Sequence, residues 1–306
     1  MSTGSVLSKP PGAGLARRQG RRLPYLLMAP AALVMAAILG YPLLRLMAVS
    51  FQDYGLRQLL TGQTQWVGVD NYTQILGDPF FWKVTARTVA FAAVNVTVTM
   101  AAGLALAELM RRISPWARTL LTTVLVFVWA TPGIVAITIW LWLVDFEYGV
   151  VNHLLGLGHH SWFDSPLSGL GVVTSVVVWG ALPFVTITLH AAISQVPAEL
   201  TEAARIDGAA GWQIFRNITF PVIRPVFTLI TVLSVIWDFQ VFNQIWVMNG
   251  NQPSEDYYLL GVYAYIESFG GSNYGSGAAI AVIMVLMLLV ASIVYVRRMA
   301  RAREVT

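Results

Sequence analysis

The segment from Trp237 to Trp246 sets polar and aromatic side chains inside a hydrophobic stretch that is long enough to enter a membrane. Its polar residues and tryptophans are Trp237, Asp238, Gln240, Asn243, Gln244 and Trp246. Carboxylate and amide groups pair with hydroxyls, and aromatic faces cover C–H surfaces, so these residue types suit a neutral sugar. Because Gln240, Asn243 and Gln244 follow helical spacing, we expect them to share one helix face. The alternative is that these amides only join helices to one another.

Asp238 has a second interpretation, because a carboxylate inside a membrane often pairs with a buried arginine. Arg45 and Arg87 are the candidate partners. Thr131-Pro132-Gly133 is predicted to break its helix, which is tolerated where the freed carbonyls line a cavity. Weaker pathway candidates lie further along the chain, at Trp179, Pro183, Thr186 and Thr188.

A polar segment from Glu202 to Pro225, EAARIDGAAGWQIFRNITFPVIRP, shows helical periodicity on both sides of one glycine. Pro197 suits the first turn of a helix, and Gly208 suits the cap at its end. A second short helix carrying Trp212 is predicted to follow, before Pro221 and Pro225 restart the chain. The resulting helix–turn–helix would expose a surface of small residues, namely Ala203, Ala204, Gly208, Ala209 and Ala210.

Three interpretations of this segment stay open on the residues alone: a docking surface for a partner, a helix resting on lipid, or a spacer beneath a helix bundle. A helix resting on lipid would carry a basic polar face. Glu199, Glu202 and Asp207 instead present negative charge, which suits an anionic leaflet poorly.

The composition indicates an integral membrane protein. Of 306 residues, 57% are hydrophobic and only 11% are charged, whereas a soluble domain carries about 25% charged residues. The lack of cysteine excludes disulfides, iron–sulfur clusters and cysteine-ligated zinc. The pI near 9.5 does not indicate nucleic acid binding, because the basic residues flank hydrophobic segments.

Six stretches are long and apolar enough to cross about 30 Å of hydrocarbon as helices. They run from Leu23 to Leu44, Val84 to Ala107, Thr119 to Val144, Gly169 to Ile193, Val226 to Met248 and Gly277 to Val296. Arginine and lysine concentrate in the two tails and in every second connection. Positive loops stay in the cytoplasm, so both termini and the segment from Glu202 are predicted to be cytoplasmic. The sequence thus predicts an all-α, six-helix membrane bundle.

Catalytic motifs are missing from the sequence. It has no G-x-x-x-x-G-K-[ST] phosphate loop, and neither Lys9 nor Lys83 lies in a glycine-rich turn. Among the histidines, His159 and His160 are expected to be solvated, and His190 to hydrogen-bond within the bundle. We therefore expect a non-catalytic chain with no metal or cofactor of its own.

The segment from Glu202 resembles the EAA signature of permease subunits in binding-protein-dependent ABC importers. The matching residues are Glu202, Ala203, Ala204, Asp207, Gly208, Ala209, Phe215, Ile218 and Pro221. Phe220 stands where the family commonly has leucine, which keeps the apolar character. Segments 66–91, 140–158 and 238–253 resemble the carbohydrate-uptake branch, the last of them its maltose-transporter-type first permease. The resemblance runs from about Leu23 to the end of the sixth span.

The resemblance implies a type I ABC importer transmembrane domain in the bacterial inner (plasma) membrane. It implies a heterodimer with a second permease, a pair of cytoplasmic ATPase chains that hold ATP and Mg²⁺, and an extracytoplasmic solute-binding protein. In this family the EAA loop is the coupling helix that seats on the ATPase, a role that falls on Glu202 and the small residues around Gly208. The implied substrate is an oligosaccharide or sugar derivative.

These expectations divide the chain into a cytoplasmic tail at 1–22, a permease domain at 23–296 with a coupling loop at 194–225, and a cytoplasmic tail at 297–306. An ion-coupled secondary transporter is the main rival, with Asp238 as its strongest candidate ion site. Such a transporter would have no use for the cytoplasmic helix–turn–helix. A structural or signalling membrane subunit is the third possibility.

Overall fold

A computed structural model describes residues 26–303, without the side chains of residues 294, 296 and 298–303. The predicted tail at 1–22 lies outside the described residues, as does the end of the chain from residue 304. The helices in chain order are α1 (Leu26–Ser50), α2 (Leu56–Thr61), α3 (Asp70–Gly77), α4 (Pro79–Arg112), α5 (Pro115–Ala130), α6 (Gly133–Leu143), α7 (Val150–Leu155), α8 (Pro166–Ile193), α9 (Ala198–Ile206), α10 (Gly211–Phe239), α11 (Asn243–Met248), α12 (Leu260–Tyr265) and α13 (Tyr274–Arg303). The described residues are thus overwhelmingly helical, as the composition predicts.

Short elements complete the chain between the helices. Strands β1 (Gln52–Asp53) and β2 (Gln65–Trp66) pair antiparallel. A 3-10 helix covers Glu255–Tyr257, and a π-helical turn, Ile266–Gly270, directly continues α12.

Within residues 26–303, five helices are long and apolar enough to cross a membrane: α1, α4, α8, α10 and α13 up to Ile293. The expected third span, Thr119 to Val144, is instead two helices, α5 and α6, whose axes meet at 103°. The break falls at Thr131 and Pro132, as predicted, because proline cannot donate a helical hydrogen bond and disfavours the α conformation in the residue before it. The predicted break within the third span is confirmed.

The helices alternate in direction through the bundle. Gly103 lies against Val185, and Nδ1 of His190 lies 3.4 Å from the carbonyl oxygen of Ala107. Because later residues of α4 meet later residues of α8, the two helices run parallel. The chain must therefore return along the bundle between them, and α5 with α6 makes that return. Taken as one crossing, the bent pair brings the candidate spans of the described residues to six.

Proline and aspartate set where the long helices begin. Pro79, Pro115 and Pro166 are the first residues of α4, α5 and α8, positions at which the missing N–H costs no helical hydrogen bond. Asp78 caps α4 by accepting a hydrogen bond from the backbone N–H of Phe80 at 2.8 Å. The sequence itself thus places these three helix starts.

The expected second helix of the polar segment does not stand alone. It is the beginning of α10, which continues without a break from Gly211 to Phe239. A π-helical turn, Phe215–Thr219, stands just before Pro221. The wider turn accommodates the proline, which has no N–H to donate to a helical hydrogen bond. The prediction that Pro221 and Pro225 separate two helices is wrong.

Several helix ends lie beyond the predicted spans. Helix α1 continues to Ser50 rather than ending near Leu44, and α13 starts at Tyr274 and continues to Arg303. The predicted carboxyl-terminal tail from residue 297 thus begins as helix. Most of α1 is exposed, whereas Ala279 and Ile280 in α13 are fully buried against Phe81 and Val84.

Candidate functional site: an exposed elbow and an interhelical cavity

The first candidate site is the elbow, which we define as α9 and the turn from Asp207 to Ala210. Gly208 adopts the left-handed conformation with φ of +79°. The N–H of Ala209 donates to the carbonyl of Ala204 at 2.9 Å, and the N–H of Gly208 donates to that of Arg205 at 3.0 Å. This pair of bonds is the Schellman arrangement. The predicted cap role of Gly208 is confirmed, and the turn has a defined shape.

Most of the predicted elbow residues are exposed. Glu202, Ala203, Asp207 and Gly208 are exposed, and Ala204 and Ala209 are half-buried. No residue of α9 is buried. Glu202 forms no ion pair within the described part of the chain. The elbow therefore projects from the bundle instead of packing beneath it.

Two exposed apolar side chains, one on the elbow and one just after it, were not among the predicted site residues. Ile206, the last residue of α9, is 87% exposed, and Trp212 at the start of α10 is 68% exposed. The signal for Ile206 was present in the sequence, as a large apolar residue between Arg205 and Asp207. Exposed apolar groups on a polar turn mark a contact surface.

The start of α10 holds the elbow in place. The backbone N–H of Ala210 donates to Oε1 of Gln213 at 2.7 Å, and the rings of Trp212 and Phe215 stack with centroids 5.6 Å apart. Ile214 is buried. Because α10 is also a candidate span, a displacement of the elbow would be transmitted directly into the membrane helix.

The second candidate site is a cavity of about 360 Å³ between α4, the α5–α6 break, α8 and the end of α10. Thr99 contributes from α4 and Gly180 from α8. Three indole rings line it: Trp129, Trp179 and Trp237. The break at Thr131 forms part of the wall, as the sequence predicts for a helix interrupted beside a cavity.

Asp238 and Ser234 lie one helical turn apart in α10 and both line the cavity. Asp238 is only 5% exposed, and no described residue forms an ion pair with it. The hydroxyl of Ser234 is buried and has no hydrogen-bond partner among the described residues. Buried polar groups normally have partners, so an unpartnered hydroxyl at Ser234 beside the buried Asp238 makes this wall of the cavity unusually polar. Ser234 was missed, although it lies four residues before Asp238.

The predicted shared face of Gln240, Asn243 and Gln244 is wrong. Helix α10 ends at Phe239, and α11 begins a new helix at Asn243. Gln244 lines the cavity, whereas Gln240 and Asn243 are exposed outside it. The chain turns because Val241 and Ile245 are buried in the core beside α6 and α8, and that burial outweighs continuing the helix.

The two tryptophans of this segment also lie in different places, because one lines the cavity and the other does not. Trp237 lines the cavity and packs edge-on against Phe184, with ring centroids 5.2 Å apart. Trp246 lies away from the cavity, where it stacks on Phe242 at 5.5 Å and meets Tyr265 at 4.9 Å. Among the weaker candidates, Trp179 lines the cavity.

Neither arginine proposed as a partner of Asp238 pairs with it. Arg87 donates to the carbonyl oxygens of Glu255 and Tyr258, at 2.7 and 3.0 Å, and lies 3.6 Å from Asp256. Arg45 instead lies 5.9 Å from the ring centroid of Tyr54. The pairing interpretation of Asp238 is therefore wrong.

The histidine expectations have different outcomes. His190 contacts the carbonyl of Ala107 within the bundle, as expected. His159 is exposed but stacks on Phe146 with ring centroids 5.4 Å apart. His160 packs edge-on against Trp162 at 5.0 Å and is half-buried rather than simply solvated.

The chain matches a known family of membrane proteins. Residues 99–303, which include both the elbow and the cavity, match the family described as the binding-protein-dependent transport system inner membrane component. The chain belongs to this family. The resemblance read from the EAA signature is confirmed, and so is location in the inner membrane. Nothing in the comparisons supports an ion-coupled secondary transporter.

Relatives cover nearly the whole chain. The chain is 42% identical over 298 residues to the diacetylchitobiose uptake system permease protein DasB of Streptomyces coelicolor, which covers 95% of this chain and 91% of the relative. It is 32% identical to the sulfoquinovosyl glycerol transport system permease protein SmoG of Agrobacterium fabrum, over 90% of each chain.

A solved structure shares the fold of this family member. It is a bacterial ABC transporter involved in the import of the acidic polysaccharide alginate, with a TM-score of 0.77 and 21% identity. The match covers 92% of this chain and 98% of that one. The predicted fold, an ABC importer transmembrane domain, is confirmed.

Proposed function

We propose that this family member is a non-catalytic permease subunit of an ATP-driven importer for an oligosaccharide or sugar derivative. It would form half of the translocation pathway, with a second, similar permease supplying the other half. An extracytoplasmic solute-binding protein would deliver the sugar. A pair of ATPase chains on the cytoplasmic side would bind ATP and Mg²⁺ and carry out the hydrolysis.

The exposed elbow is the observation that carries the coupling part of the proposal. It combines a fixed Schellman turn at Gly208 with the exposed side chain of Ile206, and the exposed Trp212 follows at the start of α10. A small-residue turn allows a partner surface to approach closely, and apolar groups next to it provide area to bury. Docking on an ATPase explains these features better than lipid contact, because Glu202 and Asp207 would face anionic headgroups.

The cavity supports a sugar as the substrate. Its polar lining includes the carboxylate of Asp238, the unpartnered hydroxyl of Ser234 and the amide of Gln244. Three indole rings supply flat apolar faces for the C–H surfaces of a pyranose ring. Two relatives described above are named as permease proteins of a diacetylchitobiose uptake system and of a sulfoquinovosyl glycerol transport system.

An incomplete cavity wall supports the second permease. Trp129 lines the cavity, yet its side chain is 66% exposed, and Phe127 nearby is 71% exposed. A second subunit that covers this face would complete the pathway and bury both rings. In the proposed cycle, ATP binding draws the two elbows together and opens the pathway outward, and hydrolysis returns it to the inward-open state.

The direct test is purification of the tagged chain from its native membrane in mild detergent, followed by identification of the bound proteins. We expect an ATPase and a second permease. The Gly208→Trp variant should lose the ATPase and keep the second permease. Gly62→Trp is the matched control, because Gly62 also adopts the left-handed conformation after a helix, with φ of +70°, but lies at the opposite end of the bundle.

Sugar uptake supplies the second readout. Glu202→Ala should lower uptake while membrane insertion stays normal. Full uptake in both Glu202→Ala and Gly208→Trp would show that the elbow does not couple. Recovery of the chain without any ATPase in several mild detergents would overturn the importer proposal as a whole.

A further inference from the structure

A groove unrelated to the elbow and the cavity runs between α1, the π-helical turn after α12, and α13. Its volume is about 540 Å³, and most of its lining is hydrocarbon. Leu46 and Val49 form the α1 wall, Phe269 forms the wall opposite, and Ala278 and Ala281 form the floor. Few polar atoms line it, so it suits a ligand with a long apolar part.

Among the described residues that line this groove, Arg45 is the one that carries a charge. It belongs to the candidate span Leu26–Ser50, it is exposed, and no described carboxylate lies within 4 Å of it. Its guanidinium lies 5.9 Å from the ring centroid of Tyr54, just beyond the end of α1. A long cationic side chain in a lipid-facing helix extends to the headgroup layer in this way.

Aromatic rings continue from Arg45 along one side of the groove. Tyr54 meets Tyr274 with centroids 6.1 Å apart, Tyr274 meets Phe269 at 5.8 Å, and Phe269 meets Tyr265 at 4.9 Å. Phe269 remains 62% exposed. Tyrosine rings favour the boundary between headgroups and acyl chains, so this wall marks the depth at which the groove opens.

The groove is deep enough for a ligand because α13 has small residues along its floor. A Cβ atom on Gly277 would collide with the hydroxyl of Ser268, so the π-helical turn and α13 are in direct contact at that point. Ala278 and Ala281 extend the same face of α13. The small side chains leave room above them for one chain of methylene groups, beside α1.

We propose that this groove binds one anionic phospholipid, with its phosphate on Arg45 and an acyl chain along α1 and α13. The cation and the apolar channel match the two parts of such a lipid. No residue in the apolar window of α1 is buried within the described chain. The groove is therefore continuous with a surface that faces lipid, which favours lipid over a protein segment.

Lipid counting on the purified transporter tests the proposal. The complex would be extracted with its surrounding lipid, washed in mild detergent, and analysed by native mass spectrometry. Arg45→Gln should lose roughly one bound anionic phospholipid per chain, because one guanidinium pairs with one phosphate. Arg57→Gln is the matched control, since Arg57 is an exposed arginine in α2 outside the groove.

A second pair of variants keeps the charge of Arg45 and replaces an alanine of α13. Ala281→Leu fills the groove and should also release the lipid, whereas Ala291→Leu, at an exposed position of the same helix, should not. Retention of the same anionic lipids in both Arg45→Gln and Ala281→Leu would overturn the proposal. So would an efficient crosslink from Phe269→Cys to the second permease, because the chain has no native cysteine and that result would place protein in the groove.

Discussion

Gly103 of α4 lies directly against Val185 of α8, and a Cβ atom on Gly103 would stand 2.5 Å from Cγ1 of Val185. Val185 is fully buried. The two parallel helices therefore approach as closely as they do because one of them lacks a side chain at this point. This contact fixes the register of the pair that supports both the cavity and the elbow.

Gly103→Ala is expected to destabilise the protein by about 1–3 kcal/mol, because an overpacked core must shift to accommodate the added methyl group. Gly171→Ala in α8 is the matched control. Nothing lies within 4 Å of a Cβ there, so it should gain about 0.5–1 kcal/mol from better helix propensity. Thermal unfolding in detergent measures both, and equal shifts would contradict the packing role of Gly103.

The elbow should tolerate asparagine at Gly208 better than alanine. The left-handed conformation costs roughly 1–2 kcal/mol for alanine, and asparagine adopts it more readily. Since Arg205 is exposed in α9, trypsin cleavage after Arg205 reports opening of the elbow. We expect Gly208→Ala to be cut several-fold faster than Gly208→Asn. Identical rates for the two variants would show that the turn is not strained by a side chain.

Asn152 organises the connection between α6 and α8. Its amide donates to the carbonyls of Asp145 and His160 at 3.0 and 2.9 Å, and its oxygen accepts from Nε1 of Trp162 at 2.7 Å. Asn152→Ala should cost about 1–3 kcal/mol by leaving buried groups without partners.

The aspartate variant at the same position should be worse than alanine. Asn152→Asp would set a carboxylate against the carbonyls of Asp145 and His160, which both need a donor. Protease sensitivity of this connection, measured alongside thermal unfolding, gives the order of the variants. A loop equally resistant in Asn152→Ala and Asn152→Asp would contradict the hydrogen-bond pattern.

Stability should depend on pH through Glu267, in the π-helical turn after α12. Burial, helped by the nearby charge of Asp78, raises the pKa of Glu267 above its ordinary value. A carboxyl with a raised pKa stabilises the fold fully below the pKa of the unfolded chain, and this stability is lost as pH rises through the folded pKa. Glu267→Gln should remove that dependence.

The measurement is the unfolding temperature from mildly acidic to neutral pH. Wild type should lose stability across this range relative to Glu267→Gln. Glu255→Gln serves as the control, because Glu255 is an exposed glutamate in the same connection. Parallel pH profiles for wild type and Glu267→Gln would rule out the proposed titration.

Asp238→Asn tests the cavity as part of the sugar pathway. The variant keeps the shape of the side chain and removes its charge, so uptake should fall roughly tenfold if one charge-assisted hydrogen bond to the sugar is weakened. Bound ATPase should be unaffected, since the elbow is unchanged. Asp70→Asn, at an exposed position in α3, is the control. Unaltered uptake in Asp238→Asn would remove this residue from the pathway.

Local chemistry made much of the architecture predictable. Apolar stretches of sufficient length predicted the membrane helices, and Thr131-Pro132-Gly133 predicted the break. Gly208 was predicted as a helix cap because few other residues adopt a left-handed turn without strain. Each of these features depends on a residue and its immediate neighbours, which a sequence displays directly.

The tertiary structure alone decided which polar residues share a site. Periodicity placed Gln240 and Asn243 beside Gln244, but burial of Val241 and Ile245 ends the helix between them and leaves only Gln244 at the cavity. Trp129 of α5 and Trp179 of α8 join Asp238 of α10 at the cavity. Such contacts depend on packing between residues that lie far apart in the chain. The spacing of residues within one segment therefore could not reveal them.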